Sequence, residues 1–234
     1  METILITGAN RGIGLALTET LLKQGDTVIA LVRRISPDLE KLADSHLRTL
    51  KILTGDVNED HRLASAAAKA GEQTPVIDVI VNNAAVMPER GDESLLELDL
   101  ELIEDAFKTN VLGPIKVIRA FFALLERSRR PRILNISSGL GSIAERDGFG
   151  YYPYAISKAA LNMLTRSIAY ELAGRGITVV AISPGWVRTD MGGIEATLSP
   201  EDSASALAAA IRKIDLVQNG KFLDRNGDEG IYAW

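Results

Sequence analysis

The sequence has no cysteine, and only two histidines in 234 residues. The first absence excludes a disulfide framework and thiolate chemistry, and suits a reducing, cytoplasmic setting. The histidines, His46 and His61, lie apart in polar stretches, so no zinc-type ligand set is expected. No apolar run approaches the roughly 20 residues of a bilayer span, so no membrane partner is expected. Met1 leads almost directly into an apolar segment, Thr3 to Thr7, so no secretory leader is expected. Positive charge is also scarce: 26 Lys and Arg stand against 31 Asp and Glu, for a formal net charge of −5. The basic residues are scattered, which excludes the footprint of a nucleic-acid binder. Hydrophobic residues make up 46%, enough for a sizeable core.

Short apolar segments alternate with helical patterns from end to end. Strands are predicted at Thr3 to Thr7, Thr27 to Val32, Leu50 to Leu53, Val76 to Val81, Arg132 to Ile136, Thr178 to Ser183 and Gly220 to Leu223. Helices are predicted at Ile13 to Gln24, Arg62 to Ala70, Asp99 to Arg127 with a kink at Pro114, Tyr154 to Ala173, and Ser203 to Lys213. The near-continuous apolar strands read as covered on both faces. The pattern predicts an α/β fold with a Rossmann-type, doubly wound parallel sheet. No linker, repeat or low-complexity stretch interrupts it, so one domain is expected over residues 1–234.

The motifs follow the C-terminal ends of the predicted strands, where open α/β sheets bind ligands. Thr7-Gly8-Ala9-Asn10-Arg11-Gly12-Ile13-Gly14 joins the first strand to the first helix. Glycine permits the tight turn and the close approach of backbone to a pyrophosphate. The helix N-terminus presents free N–H groups to that anion. Arg33 ends the second strand, where an acidic residue would bind the free ribose of NAD and an arginine suits the 2′-phosphate of NADP. Arg11 is placed to join it. Asp56 and Val57 follow the third strand. Asp56 is placed to accept from the adenine amino group or, equally, to cap its own turn. Asn82-Asn83-Ala84-Ala85 follows the fourth strand as a tight turn of small residues, and reads either as a cofactor wall or as a plain turn.

Tyr154 and Lys158 lie four apart at the start of a helix and share a face. An ammonium beside a phenol favours phenolate and is expected to lower its pKa. The pair therefore suits proton transfer in carbonyl–alcohol chemistry.

In this order the motifs resemble those of the short-chain dehydrogenase/reductase family. The glycine turn matches TGxxxGxG and Asn82 to Ala85 matches NNAG with alanine last. Asn110 matches the family's helix asparagine, Ser137-Ser138 its serine motif, Tyr154 and Lys158 its YxxxK, and Pro184 to Thr189 its PGxVxT. ILNISSGLGSI, SPGWVRTDMGG and the ending GKFLDRNGDEGIYAW are similar to the C-factor and sniffer-type carbonyl reductases. The resemblance implies Tyr154 as proton donor and Lys158 as its modulator and ribose ligand. It implies Ser138 on the substrate carbonyl, and Asn110 holding a water in a relay to Lys158. It assigns cofactor contacts to Gly8, Asn10, Arg11, Gly12, Ile13, Gly14, Arg33, Asp56, Val57, Asn83, Ala84, Pro184, Gly185, Val187 and Thr189. It implies NADP(H), a small aldehyde or ketone as substrate, and a homo-oligomer, most simply a dimer. The dimer would form through the helices carrying Ile115, Ile118, Phe121 and Phe122, and Leu161, Leu164 and Ile168. The competing readings are a non-catalytic nucleotide-binding protein on the same fold and an NAD-dependent alcohol dehydrogenase. The stretch Met191 to Ser199 is short and shows no charged pocket, so broad substrate tolerance is expected.

Overall fold

The apolar segments form strands β1 (Thr3–Thr7), β2 (Thr27–Val32), β3 (Leu50–Thr54), β4 (Val79–Asn82), β5 (Arg132–Ile136), β6 (Thr178–Ile182) and β7 (Phe222–Leu223). They pair in the order β3-β2-β1-β4-β5-β6-β7, and every pairing is parallel. The helices are α1 (Gly12–Lys23), α2 (Pro37–Ser45), α3 (Asp60–Gln73), α4 (Glu101–Phe107), α5 (Gly113–Leu125), α6 (Tyr152–Ala173) and α7 (Pro200–Lys213). This computed structural model describes residues 1–89, 91 and 93–234.

Side chains along each strand alternate between two apolar layers, as a period of two requires. Ile4, Ile6, Val28, Ala30, Val79 and Val81 pack on Leu17 and Leu21 of α1 and Leu207 and Ile211 of α7. Leu5, Ile29, Ile80, Ile133 and Val179 pack on Leu63 of α3, Phe121 and Leu125 of α5, and Leu172 of α6. Burying each such aliphatic side chain contributes about 1.5–3 kcal/mol, so the sheet is the main source of cohesion. The strand order reverses between β1 and β4. That opens a crevice at their C-terminal ends.

Three predicted elements change shape and one helix is added. The fourth strand begins at Val79, not Val76: Ile77 N–H bonds to Leu124 O on α5, and the Asp78 carboxylate accepts from Thr3 N at 2.8 Å. The long helix is interrupted by a π-helical turn, Lys108–Leu112. Pro114 then falls in the first turn of α5, where its missing N–H has no intrahelical partner to lose. The last strand shortens to two residues. Helix α2 is an addition, started by Pro37 and by Ser36, whose hydroxyl accepts from Leu39 N at 3.3 Å.

The sheet's N-terminal edge carries buried charge. Arg132 is fully buried, ion-paired to Glu2 and bonded to Ile211 O, and Arg212 pairs with Glu2 and Asp26. These pairs tie α7 to the first and fifth strands on the edge opposite the crevice.

Candidate active site

A cavity of about 440 Å³ fills the crevice. Gly8 and Gly12 adopt φ of 68° and 51°, a region costly for side-chain-bearing residues. A Cβ on Gly14 would lie 2.3 Å from Gly8 O and 2.6 Å from Asn83 Nδ2, so α1 seats directly on the turn. Arg11 begins α1 without a side-chain cap, leaving first-turn N–H groups uncapped by side chains at the cavity wall. Gly8, Asn10, Arg11, Gly12, Ile13 and Gly14 all line the cavity, as do Arg33, Asp56, Val57, Asn83 and Ala84.

The Thr7 hydroxyl accepts from Asn83 N at 3.0 Å and Ala84 N at 2.9 Å. Asn83 Nδ2 donates back to Thr7 O at 2.9 Å. These bonds lock the ends of β1 and β4 together. Asp56 Oδ1 accepts from Asn58 N at 2.9 Å, so the turn-capping alternative applies while the residue also borders the cavity. Pro184 and Thr189 line the opposite wall. Gly185 and Val187 stand behind it, joined to Leu198 by a bridge and by close packing. Arg33 is exposed at the rim, with no ion-pair partner among the described residues. Arg11 lines the cavity as well, and its guanidinium forms an exposed pair with Asp190 across the cavity mouth.

Tyr154 and Lys158 line the cavity from α6 and are both buried. The Ser138 hydroxyl, at the end of β5, accepts from Leu140 N at 3.2 Å and acts on the Tyr154 phenol to favour its ionised form. Ser137, not Ser138, is among the residues that line the cavity, but its hydroxyl is engaged, donating to Asn162 Oδ1 at 2.6 Å. Lys158 Nζ donates to Ile136 O at 2.7 Å and lies 5.4 Å from the Tyr154 ring centre.

The electrostatics reverse the sequence expectation. Burial pushes the Tyr154 phenol up to about 12, opposed by the Ser138 hydroxyl and reinforced by the charge of Glu89. Burial also pushes Lys158 down to about 7. Desolvation disfavours the charged form of each, and it outweighs the attraction that their spacing suggested.

Asn110 sits in the π-helical turn, a feature common at functional sites. Its side chain does not match the expected water carrier. The amide donates to Val86 O at 2.8 Å and Ser157 Oγ at 2.9 Å, and its oxygen accepts from Val86 N at 2.8 Å. Both N–H groups are engaged, so the side chain staples the segment after β4 to α6. Sequence reading missed Thr7 as a lock, although it opens the glycine motif, and missed Ser157, which signals itself only through its contact with Asn110.

The sequence model of the family described as short chain dehydrogenase matches residues 2–197. The chain is 36% identical to the C-signal protein of Myxococcus xanthus over 156 residues, 67% of this chain and 93% of that one. Its fold superposes on the carbonyl reductase Sniffer of D. melanogaster with a TM-score of 0.94, at 32% identity and full coverage of both chains. The NADPH-bound carbonyl reductase from chicken fatty liver gives a TM-score of 0.91 at 30% identity, covering 100% of this chain and 99% of that one. With the parallel sheet and the crevice at its reversal point, these likenesses show that the chain belongs to the short-chain dehydrogenase family of oxidoreductases.

Proposed function

We propose that the protein is an NADPH-dependent reductase of small aldehydes and ketones, with Tyr154 as the proton donor. The observation that carries this is the meeting of Tyr154 and Lys158, with Ser138 acting on the phenol, at a cavity whose other wall is the glycine cradle. That cradle fits a dinucleotide, because a Cβ at Gly14 would fill the space its backbone turn needs. Gly8, Asn10, Gly12, Ile13 and Gly14 would hold the pyrophosphate, and Arg33 the 2′-phosphate. Asp56 and Val57 would flank the adenine, and Asn83 and Ala84 the adjoining ribose. Lys158 would bind the nicotinamide ribose, and Pro184, Gly185, Val187 and Thr189 would seat the carboxamide. Bound NADPH supplies the hydride. Ser138 donates a hydrogen bond to the carbonyl oxygen. Tyr154, protonated across the physiological range because its phenol is held high, delivers the proton to the developing alkoxide.

The cofactor preference rests on Arg33. A 2′-phosphate brings about 1.5–2 negative charges, and a guanidinium meets it with charge-assisted bonds worth about 1.5–3 kcal/mol. Arg33→Asp is expected to erase or reverse a roughly 10- to 100-fold preference for NADPH. The check is kcat/KM for both cofactors with a panel of carbonyl substrates at fixed ionic strength. No NADPH oxidation with any carbonyl would refute the enzyme reading, and equal use of NADH by the wild type would refute the cofactor assignment.

A dimer through α6 belongs to the same proposal, with Ile115, Phe122, Leu164 and Ile168 half-buried in the protomer. Ile118, Phe121 and Leu161 are buried within the protomer. The exposed apolar residues of α6 are Ile156, Met163 and Tyr170, spaced by seven and therefore on one face. Light scattering at micromolar concentration is expected to give twice 25.3 kDa. A Met163→Glu change is expected to shift the mass toward the monomer. A monomer in the wild type would count against the dimer.

A further inference from the structure

We infer that Glu89 is a positioning residue for Tyr154, holding the proton donor in register through its backbone. The inference rests on the assignment of Tyr154 as the acid and goes beyond it. Helix α6 begins unusually. Tyr151 precedes it with φ of 51° and ψ of 32° and provides no side-chain cap, and the first turn contains no acidic residue. Pro153 has no N–H to offer. Ala155 N–H is satisfied by Tyr151 O at 2.8 Å. The N–H of Tyr154 is left as one of the helix's orphan donors. It is taken by Glu89 Oε1 at 2.7 Å, from the segment after β4 and 65 residues away in sequence.

Glu89 is 5% exposed, and its second oxygen, Oε2, is buried without a hydrogen-bond partner among the described residues. A buried carboxylate with one oxygen unsatisfied is costly. A plain cap is provided more cheaply by Ser, Thr or Asp next to the helix itself. The distant carboxylate is different, because it fixes the catalytic residue relative to the wall formed by residues 83–89. The partial positive charge of the α6 N-terminus compensates the carboxylate. Asn110 joins the same two elements through Val86 and Ser157. The segment after β4 is thus pinned to α6 at two points, one on each side of the tyrosine's turn. Misplacing a catalytic group by about 1 Å can cost about 10²-fold in rate.

The test compares Glu89→Ala and Glu89→Gln, with Tyr154→Phe as the reference, using NADPH and one reducible ketone. Gln keeps the acceptor and the volume and loses the charge. Glu89→Ala is expected to lower kcat about 10- to 100-fold, with NADPH dissociation constant and substrate KM within about threefold of wild type. Glu89→Gln is expected to stay within about threefold in kcat. In the Tyr154→Phe background, Glu89→Ala is expected to change the residual rate by less than about twofold, since the group it positions is gone. Normal kcat in Glu89→Ala, or equal losses in Ala and Gln, would overturn the inference while a slow Tyr154→Phe left the acid assignment standing. A parallel loss of kcat, NADPH affinity and thermal midpoint in Glu89→Ala would overturn it too, by showing a merely structural role. A fully active Tyr154→Phe would instead remove the acid assignment itself and the positioning role with it.

Discussion

Tyr154→Phe is expected to lower kcat by about 10²–10⁴, with NADPH affinity nearly unchanged. The substitution removes one oxygen and almost no volume, so the ring still fills its buried place on α6. The phenol that is lost is the group on which Ser138 acts. Without it, the developing alkoxide keeps the Ser138 hydrogen bond but has no acid within reach. Lys158 is turned from that role, because its Nζ donates to Ile136 O at 2.7 Å. Cofactor binding is spared because the glycine turn, Arg33 and the wall from Pro184 to Thr189 are untouched. The measurements are single-turnover rates with a ketone and a separate titration of NADPH by fluorescence. Near-normal turnover would falsify the role given to Tyr154.

Under the proposed function, the same electrostatics bear on how the proton is handled. A phenol pushed up to about 12 is a poor base at neutral pH but a reliable store of a proton. Reduction of a carbonyl needs the proton delivered, and oxidation of an alcohol needs it removed. Glu89 adds to the bias, since its charge disfavours phenolate. Under the proposed function, this environment suits delivery of the proton that a carbonyl reduction needs.

Much of the fold was legible because the strands are covered on both faces. TVIALV of β2 and ILIT of β1 are apolar without interruption, and no helix of that length could hide them. The glycine turn was legible because its chemistry is local: a strand, a positive-φ turn and a helix start within eight residues. Helix α2 escaped because its nine residues are mostly polar and bury only Leu39, so periodicity gave little signal. The π-helical turn escaped because no residue type specifies it.

The site was legible in its members and less so in their couplings. Tyr154 and Lys158 were found from their spacing, but spacing cannot say whether attraction or desolvation prevails. That depends on how completely β5, α6 and the segment after β4 enclose the pair. Arg11 was found as a cavity residue, but its pairing with Asp190 joins positions 179 residues apart. Glu89 lies in a stretch with no periodic pattern, and its bond to Tyr154 N spans 65 residues. Each of these is a tertiary contact, created only when the sheet brings its loops to one edge.

Lys158 makes the enclosure measurable. Without bound cofactor, folding stability is expected to rise by about 2 kcal/mol between pH 7 and pH 9, an increment that Lys158→Met lacks. The folded pKa is about 7, whereas an unfolded lysine titrates near ~10.4. Between those values the unfolded chain binds a proton that the folded chain does not. Stability must therefore increase with pH across this window, at up to roughly 1.4 kcal/mol per unit. Below pH 7 both states are charged and the full desolvation penalty remains. Above about pH 10.4 both are neutral and the penalty is gone. Tyr154 does not interfere, because its phenol moves from 10.0 to about 12 and so affects stability only above the range measured. The remaining surface groups titrate alike in wild type and variant, and cancel in the comparison. Methionine fills the channel with similar length and no charge, although Ile136 O loses its donor, which costs about 1–3 kcal/mol independently of pH. Urea unfolding of both proteins at pH 7 and pH 9 gives the two increments. Parallel increments would mean that Lys158 keeps its proton when folded. In that case its ammonium is available to stabilise a Tyr154 phenolate, and the account of Tyr154 as a protonated donor would lose its electrostatic basis.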